Sequence, residues 1–168
     1  MLAIVLILIG IVLRFAPHAP NFTPVAAIAL FGGVYLNKKY SVFVPLALMV
    51  ISDIALGMHN VVAFTWGGFI LVTLIGFWVR NHKSAGGIFA GSVLASVVFY
   101  IVSNFGVWLM GWYPRDAQGL VNCYVMALPF LRTFTVATVV YSCAFFGVYA
   151  LIARSVKATR FAKVLLES

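Results

Sequence analysis

The sequence has very little charge. Charged residues make up 8% of its 168 residues and hydrophobic residues 64%, whereas an average soluble domain is about 25% charged and about 45–50% apolar. A chain of this length cannot hide so much apolar surface in a water-soluble fold, because small domains leave much of their surface exposed. The sequence therefore predicts an integral membrane protein that forms a single transmembrane domain over residues 1–168.

Acidic residues, cysteines and enzyme motifs are also scarce. The chain has 3 acidic residues and 2 cysteines, and two cysteines are too few for a disulfide framework or a zinc site. The motifs GxxxxGK[ST], HExxH and GxSxG do not occur, and no array of acids indicates an intramembrane proton relay. We therefore expect a protein that is not an enzyme and that has no cofactor.

What the sequence has instead is apolar runs. A helix needs about 20 residues to cross a bilayer core of about 30 Å, and the first run, "MLAIVLILIGIVLR", is interpreted as a retained span because no basic leader or cleavage site accompanies it. These runs predict an all-α, six-helix transmembrane bundle with segments at about Leu2–Ala16, Val25–Leu36, Tyr40–Met58, Val61–Val79, Gly86–Met110 and Pro129–Ala153.

Two features of these segments need comment. The second segment is so short that it could be a tilted span, a half-helix buried in protein or a re-entrant piece. Pro129 is placed at the start of the last helix, where a missing N–H does no harm. The residues before it, "GWYPRDAQGLVNCYVMAL", are predicted to be a long outer connection.

The basic residues predict the orientation of the bundle. With the N-terminus inside, 8 of the 11 Lys and Arg residues lie on the cytoplasmic side, including a basic C-terminal tail at about 154–168. Arg14, Arg115 and Arg132 are left on the outside or near it. Because the net charge of +8 is explained by this topology, we expect both termini in the cytoplasm and no nucleic-acid partner.

Polar residues within the spans gather near the outer ends of the predicted helices. At about 1.5 Å per residue, Asp53, Asn104 and Arg132 lie within the outer third, and Thr65 and Trp66 lie at a similar depth. A charge inside a membrane normally faces a partner or a wet cavity. Asp53 could therefore form a structural ion pair with Arg132, cap a helix, or line a pocket.

Three further groups have alternative interpretations. Asn104 could bond another helix or a ligand, and Trp108, Trp112 and Tyr113 could form an interfacial belt or the mouth of a pocket. The small residues Gly87, Gly91 and Ala95, at spacing four, could pack within the bundle or dock a partner. A soft metal site at His18, His59 and Cys123 has little support, because these residues lie on separate loops, and no metal is expected.

Four stretches carry a family resemblance: "PNFTPVAAIALFGGVYL", "VPLALMVISDIALG", "SNFGVWLMGWYP" and "GLVNCYVMALPFLR". They resemble an uncharacterised family of small bacterial membrane proteins that is similar to the substrate-binding S-components of energy-coupling factor (ECF) transporters. This resemblance implies a bacterial inner-membrane protein that binds a vitamin-like micronutrient near its outer face. It implies substrate contacts at Asn21, Phe22, Thr23, Asp53, Asn104, Trp108, Tyr113 and Asn122.

The candidate substrate-binding residues are these eight together with His59, Trp66 and Arg132. The resemblance also implies ECF transmembrane and ATPase subunits as partners. However, the first span lacks the alanine-rich small-xxx-small face by which S-components dock the energising subunit, so a solitary transporter is an alternative. A structural or assembly subunit without a ligand is the second hypothesis. A narrow channel is the third, and the absence of a continuous polar stripe argues against it.

Overall fold

The computed structural model describes residues 1–17, 19–157, 159 and 162–166. Most of the described residues are in α-helices, and none of them is in a strand. The helices are α1 (Leu2–Arg14), α2 (Val25–Tyr35), α3 (Lys38–Ser41), α4 (Phe43–Leu56), α5 (Val62–Arg80), α6 (Ala85–Leu109), α7 (Ala117–Val156) and α8 (Ala162–Leu166).

Four stretches are long and apolar enough to cross a membrane: α3 with α4, then α5, α6 and α7. The apolar helices α1 and α2 are shorter, with 13 and 11 residues. Every predicted apolar segment therefore contains a helix. The all-helical architecture and these four stretches indicate a membrane protein.

The last helix begins earlier than predicted. Asp116 accepts a hydrogen bond from the Gly119 N–H at 2.6 Å and caps α7, which then runs for 40 residues from Ala117. Residues 117–128, predicted as part of a loop, are helical, and Pro129 lies inside the helix rather than at its start. A proline placed there leaves the carbonyl of Val125 without its usual i+4 donor. The predicted position of Pro129 was therefore wrong.

Helix α2 is the centre of the bundle. It contacts α1, α3, α4, α5, α6 and α7, and each residue from Val25 to Val34 is buried. Its sequence VAAIALFGGV contains no polar side chain, and its alanines and glycines allow neighbouring backbones to approach closely. A helix enclosed on all sides by protein does not need the length of a lipid-facing span.

A close contact fixes the depth of α2 against α5. Gly33 lies against Thr73 and Gly76, and further along both helices the Arg80 side chain donates to the Leu36 carbonyl at 2.6 Å. The two helices are therefore parallel. With this register, Val25 lies level with about Gly68, so α2 begins about 9 Å deeper than the first residue of α5.

The bundle has two different ends. The basic end carries Lys38, Lys39, Arg80 and Lys83, and here the terminal ammonium of Met1 donates to the Leu165 carbonyl at 3.3 Å. The opposite end is where α1, α4 and α6 finish and where α2, α5 and α7 begin. We call it the cavity end.

The small residues of α6 pack inside the bundle. Gly91, Ser92, Ala95 and Ser96 are all buried. A Cβ atom placed on Gly91 would lie 2.3 Å from Cγ2 of Val79, so α5 and α6 approach too closely here for a larger residue. The packing interpretation is confirmed for Gly91 and Ala95, whereas Gly87, at the start of α6, is only partly buried and lies against His82 in the preceding turn.

The contact at Gly33 predicts a large stability effect. A Cβ atom on Gly33 would lie 2.3 Å from the backbone oxygen of Thr73, and a backbone atom cannot rotate away. We expect Gly33→Ala to destabilise the protein by about 3 kcal/mol, the upper range for overpacking. Thermal unfolding in detergent measures this. Gly147→Ala is the matched control, because its added Cβ meets nothing within 4 Å, and equal unfolding temperatures for the two variants would contradict the close packing.

Candidate functional site

A cavity of about 470 Å³ lies at the cavity end, above the first residue of α2. Its volume is within the range of about 300–1,000 Å³ typical of small-molecule sites. Its polar lining residues are Arg14, Asn21, Thr23, Asp53, His59, Thr65, Tyr100, Ser103 and Asn104. Its apolar lining residues are Val25, Leu56, Phe69, Phe99, Val107, Ala127, Phe130, Leu131 and Phe134.

Three stacked aromatic rings form one wall of the cavity. The ring centroids of Phe69 and Phe99 are 4.8 Å apart, with 23° between the ring planes. Those of Phe99 and Phe134 are 4.9 Å apart, with 28° between the planes. The rings come from α5, α6 and α7, so the wall joins the three long helices. The wall gives the cavity an apolar, aromatic side.

Asp53, which also lines the cavity, links three helices. Its Oδ1 accepts from Nη2 of Arg14 on α1 at 2.5 Å, and its Oδ2 accepts from Nε1 of Trp66 on α5 at 2.7 Å. Arg14 also donates to the Ser52 hydroxyl at 2.6 Å. The Asp53 side chain is 5% exposed and that of Arg14 16%. The Arg14–Asp53 pair is therefore a largely buried, hydrogen-bonded ion pair.

The partner of Asp53 differs from the one considered from the sequence. Arg14, at the end of α1, makes the ion pair, and Arg132 is exposed on α7. Two helices can bring side chains to the same depth and still direct them to opposite sides. The Asp53–Arg132 pair, one of the alternatives considered from the sequence, is therefore wrong, whereas Asp53 does line a pocket.

The start of α2 forms the floor of the cavity and has no side-chain cap. Pro24 is its N-cap residue, and the first helical hydrogen bond runs from the Ile28 N–H to the Pro24 carbonyl. The N–H groups of Val25, Ala26 and Ala27 precede that bond and have no intrahelical partner. Beside them, the Thr23 hydroxyl oxygen is buried and has no hydrogen-bond partner in the described structure.

A second cavity of about 310 Å³ adjoins the first. The two share lining residues His59, Asn104, Val107, Ala127 and Phe130, and the second adds Tyr113 and Cys123. The Cys123 thiol donates to the backbone carbonyl of Asn104 at 3.4 Å, joining α6 and α7. The second cavity thus continues the first along these two helices.

The predicted site residues divide into two groups. Asn21, Thr23, Asp53, His59 and Asn104 line the main cavity, and Tyr113 lines the second together with His59 and Asn104. Asn21 holds a left-handed backbone with φ of 61°, which asparagine tolerates better than most residues. The Asn104 side chain donates within its own helix, to the Tyr100 carbonyl at 2.8 Å.

The other five predicted residues do not line either cavity. Phe22 packs on Tyr141, with ring centroids 5.7 Å apart. Trp66 donates a hydrogen bond to Asp53, as described above. Trp108 donates to the Pro114 carbonyl at 2.9 Å. Asn122 is exposed and accepts from Gln118 at 3.0 Å, and Arg132 is exposed.

The sequence arguments missed the aromatic wall and the role of Arg14. Phe69, Phe99 and Phe134 lie in apolar runs where a phenylalanine gives no sign of facing a cavity rather than lipid. Arg14 lies at the end of the first apolar run, and its charge was used only to predict the orientation of the bundle in the membrane. The signal that could have found it is the shortness of that run, which ends before a full span.

The described residues contain no group of three His, Cys, Asp or Glu side chains that could hold a metal ion. Of the residues considered for a metal, His18 lies outside the described part of the chain. His59 and Cys123 both line the second cavity.

Comparison with known proteins gives one match. The model of a family of unknown function, DUF6580, matches residues 1–160. No curated protein and no solved structure matches the chain.

Proposed function

We propose, from the premise that this chain belongs to the DUF6580 family of unknown function, that the protein binds a small vitamin-like organic solute in the cavity above α2. The single observation that carries the proposal is that α2 begins deeper in the bundle than the neighbouring helix α5. Because α2 begins about 9 Å deeper than α5, the space above it is a cavity of about 470 Å³ that holds polar side chains at membrane depth.

Polar groups at this depth support a ligand site. Placing a charge or an uncapped helix start inside the hydrocarbon region costs free energy unless a partner or a wet cavity is present. The Arg14–Asp53 pair lines the cavity together with the aromatic wall. Concave, largely apolar sites with a few converging polar groups are typical of small-molecule binding.

The proposed membrane arrangement is a six-helix transmembrane bundle in the bacterial inner membrane. In it, α1 and α2 cross as short helices beside the four long ones. The basic end, with both termini, faces the cytoplasm by the positive-inside rule, and the cavity end faces outward. The solute then enters from the extracytoplasmic side.

The resemblance to ECF S-components suggests how binding is used. S-components deliver a bound micronutrient inward, with energy from ECF transmembrane and ATPase subunits. We propose the same role here, either with such subunits or as a solitary small transporter. This sequence contains no P-loop motif, so we assign the ATP-driven step of such a cycle to the partner subunits.

Ligand retention during purification tests the proposal. We expect protein purified in a mild detergent to carry a small molecule in near-stoichiometric amount, detected by mass spectrometry of the extracted complex. The same molecule, added back, should raise the unfolding temperature by mass action. A clean apo protein that a panel of vitamins does not stabilise would contradict the proposal. A stoichiometric protein partner without any small molecule would favour the assembly-subunit hypothesis.

A further inference from the structure

We propose that the outer face of α7 docks a transmembrane helix of a different membrane protein, and that a carboxylate of that helix pairs with Arg132. This docking face lies on the surface of the bundle and not in the cavity, so its tests are independent of solute binding. It gives Arg132 a role that neither the family match nor the resemblance provides.

One face of α7 points away from the bundle along much of the helix. Its exposed residues recur every three or four positions: Val121, Val125, Leu128, Arg132, Val136 and Val140. That spacing places them on one side of a helix. Each apolar member is at least 50% exposed. Arg132 is therefore a single cation in the middle of an apolar face.

Arg132 has no hydrogen bond, ion pair or ring contact among the described residues. A charge inside a membrane helix normally pairs with another group or faces water. The described residues include two carboxylates, and both are engaged elsewhere. Asp53 is 5% exposed and accepts from Arg14 and Trp66, whereas Asp116 caps the start of α7. The group that balances Arg132 therefore lies outside the described part of this chain.

Lipid alone does not cover this face. Helix α7 has 40 residues and is about 60 Å long, twice the bilayer core of about 30 Å. From Val121 to Arg132 is about 16 Å along the helix, or about 12 Å in depth at a tilt of about 40°. If Val121 lies in the hydrocarbon, this depth exceeds the reach of an arginine side chain that bends toward the headgroups.

The opposite placement of α7 is no better. If Arg132 lies at the headgroups, the exposed apolar residues from Val121 to Leu128 lie in water, which costs free energy. A helix of another protein resolves both conflicts, because it covers the apolar residues and supplies an acceptor for the charge.

A second copy of this chain does not supply that acceptor. In two copies with the same membrane orientation, Asp116 lies at the start of α7, about 24 Å along the helix from Arg132. Asp53 is inside the bundle, and Glu167 lies outside the described residues. Two identical faces would also bring two Arg132 cations together, and like charges repel. The face therefore fits a different protein with an Asp or Glu side chain on a transmembrane helix.

A synthetic helix tests the charge pair directly. The probe is a leucine-rich transmembrane peptide of about 20 residues with one glutamate near its centre, and the matched peptide has glutamine there. Energy transfer measures the association of each peptide with the labelled full-length protein in phosphatidylcholine vesicles. We expect the glutamate peptide to associate about tenfold more tightly, as a polar contact between membrane helices predicts.

Variants of the protein locate this contact. Arg132→Gln is expected to remove the preference for the glutamate peptide, whereas Arg132→Lys keeps most of it. Arg115→Gln is the control and should keep it in full, because Arg115 is an exposed arginine beyond the end of α6 that donates to the Leu109 carbonyl at 3.0 Å. Equal association of the two peptides, or an unchanged preference in Arg132→Gln, would overturn the proposal.

Cross-linking in the native membrane tests the natural partner. A photoreactive benzoylphenylalanine is placed at Val136, one turn from Arg132, and for control at Val12, which is 70% exposed on α1. At Val136 we expect an adduct with a different membrane protein. Its yield should fall about tenfold in Arg132→Glu and recover when one intramembrane Asp or Glu of that protein is changed to arginine. No adduct, or adducts only with lipid or with a second copy, would overturn the proposal.

Discussion

Replacing Asp53 by asparagine is expected to destabilise the protein by about 3 kcal/mol or more. The change leaves Arg14 as a largely buried cation without its counter-ion, and breaking one side of a buried pair costs about 3–5 kcal/mol. It also weakens the bridge from Asp53 to α1 and α5. Thermal or denaturant unfolding in detergent, followed by Trp fluorescence, measures the loss.

Two controls separate the ion pair from a general effect of altering polar residues. The double variant Arg14→Gln with Asp53→Asn removes both charges, and we expect it to recover more than half of the loss, because no charge is left unpaired. Arg132→Gln alters an exposed arginine and should change stability by less than about 0.5 kcal/mol. An unchanged unfolding temperature for Asp53→Asn would contradict the role given to the pair.

Filling the cavity is expected to abolish ligand binding while the fold is kept. Ser103 lines the main cavity from α6, and Ser103→Phe places a ring in the space that the ligand occupies. We expect the retained small molecule, or the affinity for it, to fall by about tenfold or more, equivalent to at least about 1.4 kcal/mol. Mass spectrometry of the purified variant and calorimetry with the isolated ligand measure this.

The matched control lies on the same helix. Ala90→Phe adds the same ring at an exposed position of α6 that does not line either cavity. This variant should retain the ligand as the unaltered protein does. If Ser103→Phe retained as much ligand as Ala90→Phe, and both remained folded, the ligand would have to bind elsewhere.

Hydropathy predicted the helices well because lipid-facing and core-facing residues are both apolar, so each helix has a clear apolar run. The sequence left open whether the short second segment is a tilted span, a buried half-helix or a re-entrant piece. The burial of α2 in the bundle explains its short length. Helix α2 contacts six other helices, so protein rather than lipid surrounds it. The same feature creates the cavity, since a helix that starts low leaves space above it.

Counting residues along the helices predicted the depth of the site residues, but it did not predict the direction in which their side chains point. Residue counting placed Asp53 and Asn104 at the level where both line the cavity. It also placed Arg132 at that level, although its side chain is exposed. Counting along a helix gives height, whereas the direction of a side chain depends on which face packs against α2. A sequence that is apolar on every side carries little information about that face.

Residues 117–128 were misassigned for a related reason. Gln118, Gly119 and Asn122 are typical of a loop, and Pro129 suggested that the helix begins there. The cap at Asp116 starts the helix twelve residues earlier, and tertiary packing outweighs the local preference of these residues. Cys123 at 1% exposure and the Tyr100 hydroxyl, which donates to the Tyr124 carbonyl at 2.5 Å, join this part of α7 to α6.

A crystal structure of the protein with its retained small molecule tests the central claim most directly. We predict ligand density above Val25, between the Phe99 ring and the Arg14–Asp53 pair. The account would be contradicted by a structure in which side chains close the cavity. It would also be contradicted if the small molecule stabilised the protein but no ligand density appeared in the cavity.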